Sequence, residues 1–215
     1  MLPEGTNRPP LMAGIAFAVL SIAALLMAPP GGAVDQLGSH ASAIRFQALL
    51  TALSLLAVVV VFGFARQRLD GPAAHIFTVG AAALVTQVSI RLWFTAGLTL
   101  HGGGLEPPTA RALMDVVAMS GPLLTVADLM LAGPIVWAAR QGRFPQWLAV
   151  IAAVFAVEHL VELVTVIGPV GSFIAPGGPM NVFLGGALLV VFVVALGAAM
   201  ALPVPTAPPP PRSPA

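Results

Sequence analysis

The stretch "AVFAVEHLVELVTV", residues 153–166, decides the fold. Its apolar character continues over 147–168, long enough to cross the ~30 Å hydrocarbon core of a bilayer as a helix. Yet Glu158, His159 and Glu162 stand in its middle. A helix turns about 100° per residue, so Glu158, Glu162 and Thr165, at i, i+4 and i+7, share one face. The segment reads as a membrane span with one polar stripe, and the stripe has to face something other than lipid tails.

The rest of the chain has the same character. Of 215 residues, 58% are hydrophobic and only 8% are charged, against roughly 25% charged in a soluble domain. Six apolar runs qualify as spans, at roughly 11–28, 44–64, 74–99, 111–139, 147–168 and 181–202. The expected fold class is therefore all-α: a polytopic transmembrane helix bundle of six spans, with residues 1–202 as a single domain. The chain has no cysteine, which excludes disulfides, thiolate metal sites and cysteine nucleophiles. A net charge of +1 without a clustered basic face speaks against a nucleic-acid partner. All basic residues are arginine, and with the wealth of Ala, Gly and Pro this points to a high-GC bacterial genome.

Arginine placement sets the expected orientation. Arg8, Arg66, Arg68, Arg140, Arg143 and Arg212 fall on one side in a six-span count, and only Arg45 and Arg111 on the other. Positively charged loops stay in the cytoplasm, so both termini are expected there, in a bacterial inner membrane. Trp137 and Trp147 then lie at the inner boundary and Trp93 nearer the outer one. The loops "APPGGAVDQLGSH" (28–40), "HGGGLEPPT" (101–109) and "GPVGSFIAPGGP" (168–179) are too short for a soluble domain. The first run resembles a signal peptide in its apolar stretch after Arg8. Glu4 and the Pro29-Pro30 pair do not suit one, and an uncleaved helix is expected. The tail at 203–215 is proline-rich and reads as disordered and solvated. "ARQRLDGP" (65–72) and "ARQGRFP" (139–145) echo one another. They mark either a duplicated hairpin or the convergence expected of cytoplasmic loops, which attract arginine and start helices with proline.

Four spans carry polar stripes. They are Gln47, Thr51 and Ser54 on the second; Gln87, Arg91 and Thr95 on the third; Gly121, Thr125 and Asp128 on the fourth; and Glu158, Glu162 and Thr165 on the fifth. The sixth has no polar residue after Asn181. The economical arrangement encloses the stripes within spans two to five and leaves spans one and six outside, packed through small residues such as Gly14, Ala18, Gly185 and Gly186. The expected buried polar site is centred on Arg91, Glu158 and Glu162, with Asp128 and His159 nearby and Gln87, Thr95, Thr125, Thr165, Gln47 and Thr51 around it. Arg91 and Glu162 lie at similar heights, and a guanidinium fork suits a carboxylate, so these two are expected to pair. The remaining acids must then be protonated, share a proton with each other or with His159, or hold a cation.

Three readings follow. The network is glue that fixes helix packing. Alternatively, it serves a small-solute or proton-coupled transporter or ligand-binding protein, in line with the interruptions at Pro122 and Gly133-Pro134 in the fourth span. The third is an intramembrane enzyme. "FAVEH" (155–159) resembles the Phe-x-x-x-His element of the CAAX-type intramembrane proteases, but that family's Glu-Glu-x-x-x-Arg motif and second His motif are missing. Glu158, His159 and Glu162 are of a type that ligates zinc or iron. Without a second cluster of ligands, no metal, cofactor or catalytic residue is assigned. The expected partners are the lipid bilayer, a second copy of the chain and a small molecule of unspecified class.

"RLWFTAG" (91–97) and "RQGRFPQWLAVIAAVFA" (140–156) resemble a family of bacterial multi-span membrane proteins, the domain of unknown function 4386. Its members often show an arginine in the corresponding span and a Pro-x-Trp entry to a later one. They often have a glutamate beside the arginine, where this chain has Leu92. The resemblance covers the middle of the chain and implies the same six-helix fold, with no assigned activity.

Overall fold

Long apolar runs bounded by Gly and Pro leave the backbone one way to satisfy itself in lipid, which is to form helices. The computed structural model describes residues 8–27, 38–100, 104–169 and 171–202, and among these there is no strand. The helices are α1 (Arg8–Leu26), α2 (Ala41–Arg66), α3 (Gly71–Leu98), α4 (Pro107–Leu123), α5 (Thr125–Arg140), α6 (Gln146–Glu162) and α7 (Gly186–Ala201). A 3₁₀ turn, Leu163–Ile167, extends α6, and a π-helical turn, Met180–Gly185, leads into α7. Joined end to end they make six helices long and apolar enough to cross a membrane: Arg8–Leu26, Ala41–Arg66, Gly71–Leu98, Pro107–Arg140, Gln146–Ile167 and Met180–Ala201. The chain thus fits a multi-pass integral membrane protein. The tail at 203–215, Glu4, Pro29, Pro30, His101 and Arg212 lie outside the described residues.

The six spans close a ring in which α1 packs on α2, α2 on α3, α3 on α5, α5 on α6, α6 on α7, and α7 back on α1; α2 also touches α7 across it. This corrects the expected layering. The sixth span is part of the core: Phe192, Val193, Leu196 and Ala199 of α7 are fully buried. Lipid tails are as apolar as leucine, so an all-apolar helix carries no mark of whether it faces lipid or protein.

Close approach between spans is made by glycine. A Cβ on Gly197 of α7 would sit 2.6 Å from the Pro10 carbonyl oxygen of α1, and one on Gly80 of α3 would sit 2.7 Å from Met130 Cβ of α5. At the arginine-rich end the two echoing loops meet. Asp70 forms an ion pair with Arg143, and the Arg68 guanidinium lies 6.0 Å from the centre of the Phe144 ring. Arg68 also donates to the Ala199, Met200 and Leu202 carbonyls at 3.2, 3.2 and 2.9 Å, capping the end of α7. Partial burial pulls its pKa below the usual arginine value by desolvation.

The outer surface is hydrophobic on every span, with Met12, Val19, Leu56, Val79, Val126, Val150, Val157 and Val191 exposed, as a lipid-facing surface requires. Trp93, Trp137 and Trp147 are exposed too, as interfacial anchors would be.

Candidate functional site

Three spans lose regular α-helical form in residues that pack together. In the fourth, Pro122 cannot donate a backbone hydrogen bond, and α4 gives way to α5 across Leu124, whose N–H turns back to the Gly121 carbonyl at 2.9 Å. In the fifth, α6 tightens into its 3₁₀ turn directly after Glu162, with Pro169 beyond. In the sixth, Met180–Gly185 widens to a π-helical turn. π-helical turns and broken membrane helices both recur where side chains are re-aimed for binding.

The side chains aimed there are Asp128 in the first turn of α5; Glu158, His159 and Glu162 at the end of α6; and Asn181. Asp128, His159 and Glu162 are buried. The imidazole is the hub. His159 Nδ1 lies 3.0 Å from the Phe155 carbonyl oxygen, which can only accept, so Nδ1 carries a hydrogen and Nε2 is bare whenever the ring is neutral. Nε2 faces Asp128 Oδ2 at 3.4 Å and Glu162 Oε2 at 3.6 Å. Glu158 Oε2 stands 2.9 Å from Nδ1. Beneath the imidazole, the Phe155 ring lies 4.2 Å away and stacks on Phe192 of α7 at 4.6 Å.

Part of the cluster is fully satisfied. The Gly177 N–H donates to Asn181 Oδ1 at 3.0 Å, which orients the amide and turns Nδ2 towards Glu162 and Thr165. Nδ2 donates to Glu162 Oε1 and, at 3.2 Å, to Thr165 Oγ1. Thr125 Oγ1 donates to the His159 carbonyl at 3.1 Å, tying the start of α5 to the end of α6. The other part is not satisfied: Asp128 Oδ1 and both Glu158 carboxylate oxygens are buried without a hydrogen-bond partner among the described residues.

Glu158, Glu162, Asp128, His159, Thr125 and Thr165 therefore come together. Arg91 does not join them, and the expected pair with Glu162 is corrected. Arg91 is exposed on α3, no ion pair among the described residues involves it, and Glu162 is bound by Asn181 instead. Gln87 and Thr95 stay with α3: Gln87 Oε1 is buried without a partner, and Thr95 Oγ1 donates to the Arg91 carbonyl at 2.8 Å. Gln47 and Thr51 stay on α2, where Thr51 Oγ1 donates to the Gln47 carbonyl at 2.9 Å. Ser54 likewise turns to its own helix, donating to the Thr51 carbonyl at 2.7 Å.

Asn181 is the residue the sequence reading left out of the site. Its signal was available: an amide at the mouth of a span, just after the helix-breaking "PGGP" (176–179). Two hollows are prominent, one of about 480 Å³ between α2 and α3 and one of about 400 Å³ beside Trp93 and Leu98. Neither is lined by a residue of the acid–imidazole cluster. No family model, curated protein or solved structure matches the chain, so its function has to be read from its own residues.

Proposed function

We propose that the protein is a transport-class membrane protein that binds a cation in the cluster of Asp128, Glu158, His159 and Glu162. One observation carries this reading. Three carboxylates from two spans surround a single imidazole, with no arginine in ion-pair reach among the described residues; three of their oxygens make no hydrogen bond, and of these only Glu158 Oε2 has an ion-pair contact, with His159 Nδ1. Acids in a membrane interior have to be protonated or matched by a counter-charge, and three of them around one imidazole make room for a cation. The interruptions of three spans at the cluster supply backbone that can open and reclose around an ion.

The same proposal places the chain in a bacterial inner membrane with both termini cytoplasmic, supported by the arginine bias of the loops. The test is flux. The full chain in proteoliposomes should carry cation current or tracer down an imposed gradient, and Glu162→Gln should reduce that flux to the level of protein-free liposomes. Wild-type flux no greater than in protein-free liposomes, for protons, sodium and divalent ions alike, would end the transport reading.

A second reading is favoured by the bonds of Asn181 to Glu162 and Thr165, which join the fifth and sixth spans. Under it the network only fixes packing, and cations change neither stability nor flux.

A further inference from the structure

The counter-charge at the cluster can be specified further, on the reading that the site takes a cation. We infer that it is a divalent transition-metal site of the zinc class, held by His159 Nε2 with Glu162 and Asp128, while Glu158 lies against Nδ1.

The tautomer comes first. A metal-binding histidine offers one ring nitrogen and anchors the other N–H on a carbonyl or carboxylate, which fixes the ring and raises its basicity. His159 has that anchoring: Nδ1 on the Phe155 carbonyl at 3.0 Å, with Glu158 Oε2 at 2.9 Å on the same side. The free Nε2 is directed at two more carboxylates.

The distances come second. Nε2 is 3.4 Å from Asp128 Oδ2 and 3.6 Å from Glu162 Oε2, too long for good hydrogen bonds. An ion about 2.0–2.2 Å from nitrogen and oxygen ligands in a tetrahedron holds those ligands roughly 3.4 Å apart. Around the same ring, one ligand atom from each of Glu158, His159 and Glu162 lies within 4.8 Å of the other two.

The third observation is independent of α6. Asp128 arrives from another span with its side chain only 3% exposed, its Oδ2 facing His159 Nε2 and its Oδ1 unpartnered. One imidazole with several carboxylates suits zinc, iron or manganese better than the all-oxygen cages of calcium or magnesium. The sequence placed Asp128 near the cluster; the packing of α5 on α6 brings its Oδ2 to His159 Nε2.

The test uses the full chain purified in detergent. It is stripped with a chelator, loaded with Zn²⁺, freed of excess metal by gel filtration and assayed by elemental analysis. One Zn²⁺ per chain is expected to be retained. Loading with Co²⁺ should give the visible absorption of a low-symmetry, four-coordinate ion. Asp128→Asn and Glu162→Gln preserve side-chain volume and should each weaken Zn²⁺ binding by roughly 100-fold or more, since even outer-shell changes cost 10–100-fold. The exposed Asp115, by contrast, should tolerate Asp115→Asn with unchanged binding. Helical circular dichroism verifies that each variant is folded.

No retained Zn²⁺ in the folded wild type overturns the metal assignment, as does full retention by the Asp128→Asn, Glu162→Gln double variant. If Zn²⁺ is not retained but sodium or proton flux persists, the metal assignment falls and the cation reading stands. If no cation binds or moves, both fall.

Discussion

Glu162 shows how one buried residue carries two roles. Its Oε1 accepts from Asn181, and its Oε2 faces the imidazole. Asn181→Ala removes the donor and leaves a buried carboxylate oxygen unpaired, which costs about 1–3 kcal/mol; the thermal unfolding midpoint in detergent should fall accordingly. Gly185 guards the same group, because a Cβ there would lie 2.9 Å from Glu162 Oε2. Glu158→Gln should act in the opposite direction in chelator-treated protein. It removes a buried charge whose polar contact, His159 Nδ1, is shared with the Phe155 carbonyl, while keeping the shape, and should stabilise by about 1 kcal/mol. A lower midpoint for this variant would mean that the contact with His159 Nδ1 outweighs the cost of burying the charge. Arg91, exposed and outside the cluster, should tolerate Arg91→Ala within about 0.5 kcal/mol. Adding Glu162→Ala should restore nothing, because no pair exists to be broken; rescue in this double-mutant cycle would revive the ion pair expected from sequence.

At the scale of the helices, the sequence disclosed more about what forms than about what faces what. Apolar length between Gly and Pro located all six spans, because the hydrocarbon core admits little else. Spacing put Glu158, Glu162 and Thr165 on one face, and of these Glu162 and Thr165 share the Asn181 amide. It could not tell which way each stripe points, and it misled at Gln47, Thr51 and Thr95. A threonine hydroxyl in a helix can bond the carbonyl four residues back, and Thr51 and Thr95 do so, which lets a polar stripe do without an inward neighbour. Arg91 misled for a related reason, since a long side chain can carry its charge along the helix towards the headgroups. The contacts that fix the ring are small-residue approaches and one capping arginine. Gly197→Leu forces a side chain against the Pro10 carbonyl and should cost at least about 1–3 kcal/mol of stability, read as a lower unfolding midpoint. Arg68→Ala uncaps three carbonyls at the end of α7 and should cost about 1–2 kcal/mol. An unchanged midpoint in either variant would show that the spans are held together elsewhere.

At the scale of the whole molecule, two features are joined. The exterior is apolar over six spans, and the interior holds an acid–imidazole cluster contributed by the fourth and fifth spans and braced by the sixth. Structural glue alone would favour fully bonded polar groups. Here the bonded half, Asn181 with Glu162 and Thr165, sits beside an unbonded half of Asp128 and Glu158. That asymmetry supports the proposal that the cluster binds a positive ion. The most direct measurement is the unfolding midpoint of the full chain in lipid nanodiscs as each of sodium and zinc is titrated after chelator treatment. A ligand that binds only the folded state stabilises it by about 2.7 kcal/mol at 100 times its dissociation constant. The midpoint should therefore rise with at least one cation in wild type and stay flat in Glu162→Gln. A midpoint indifferent to both cations, or one that rises equally in the variant, would contradict cation binding at this cluster.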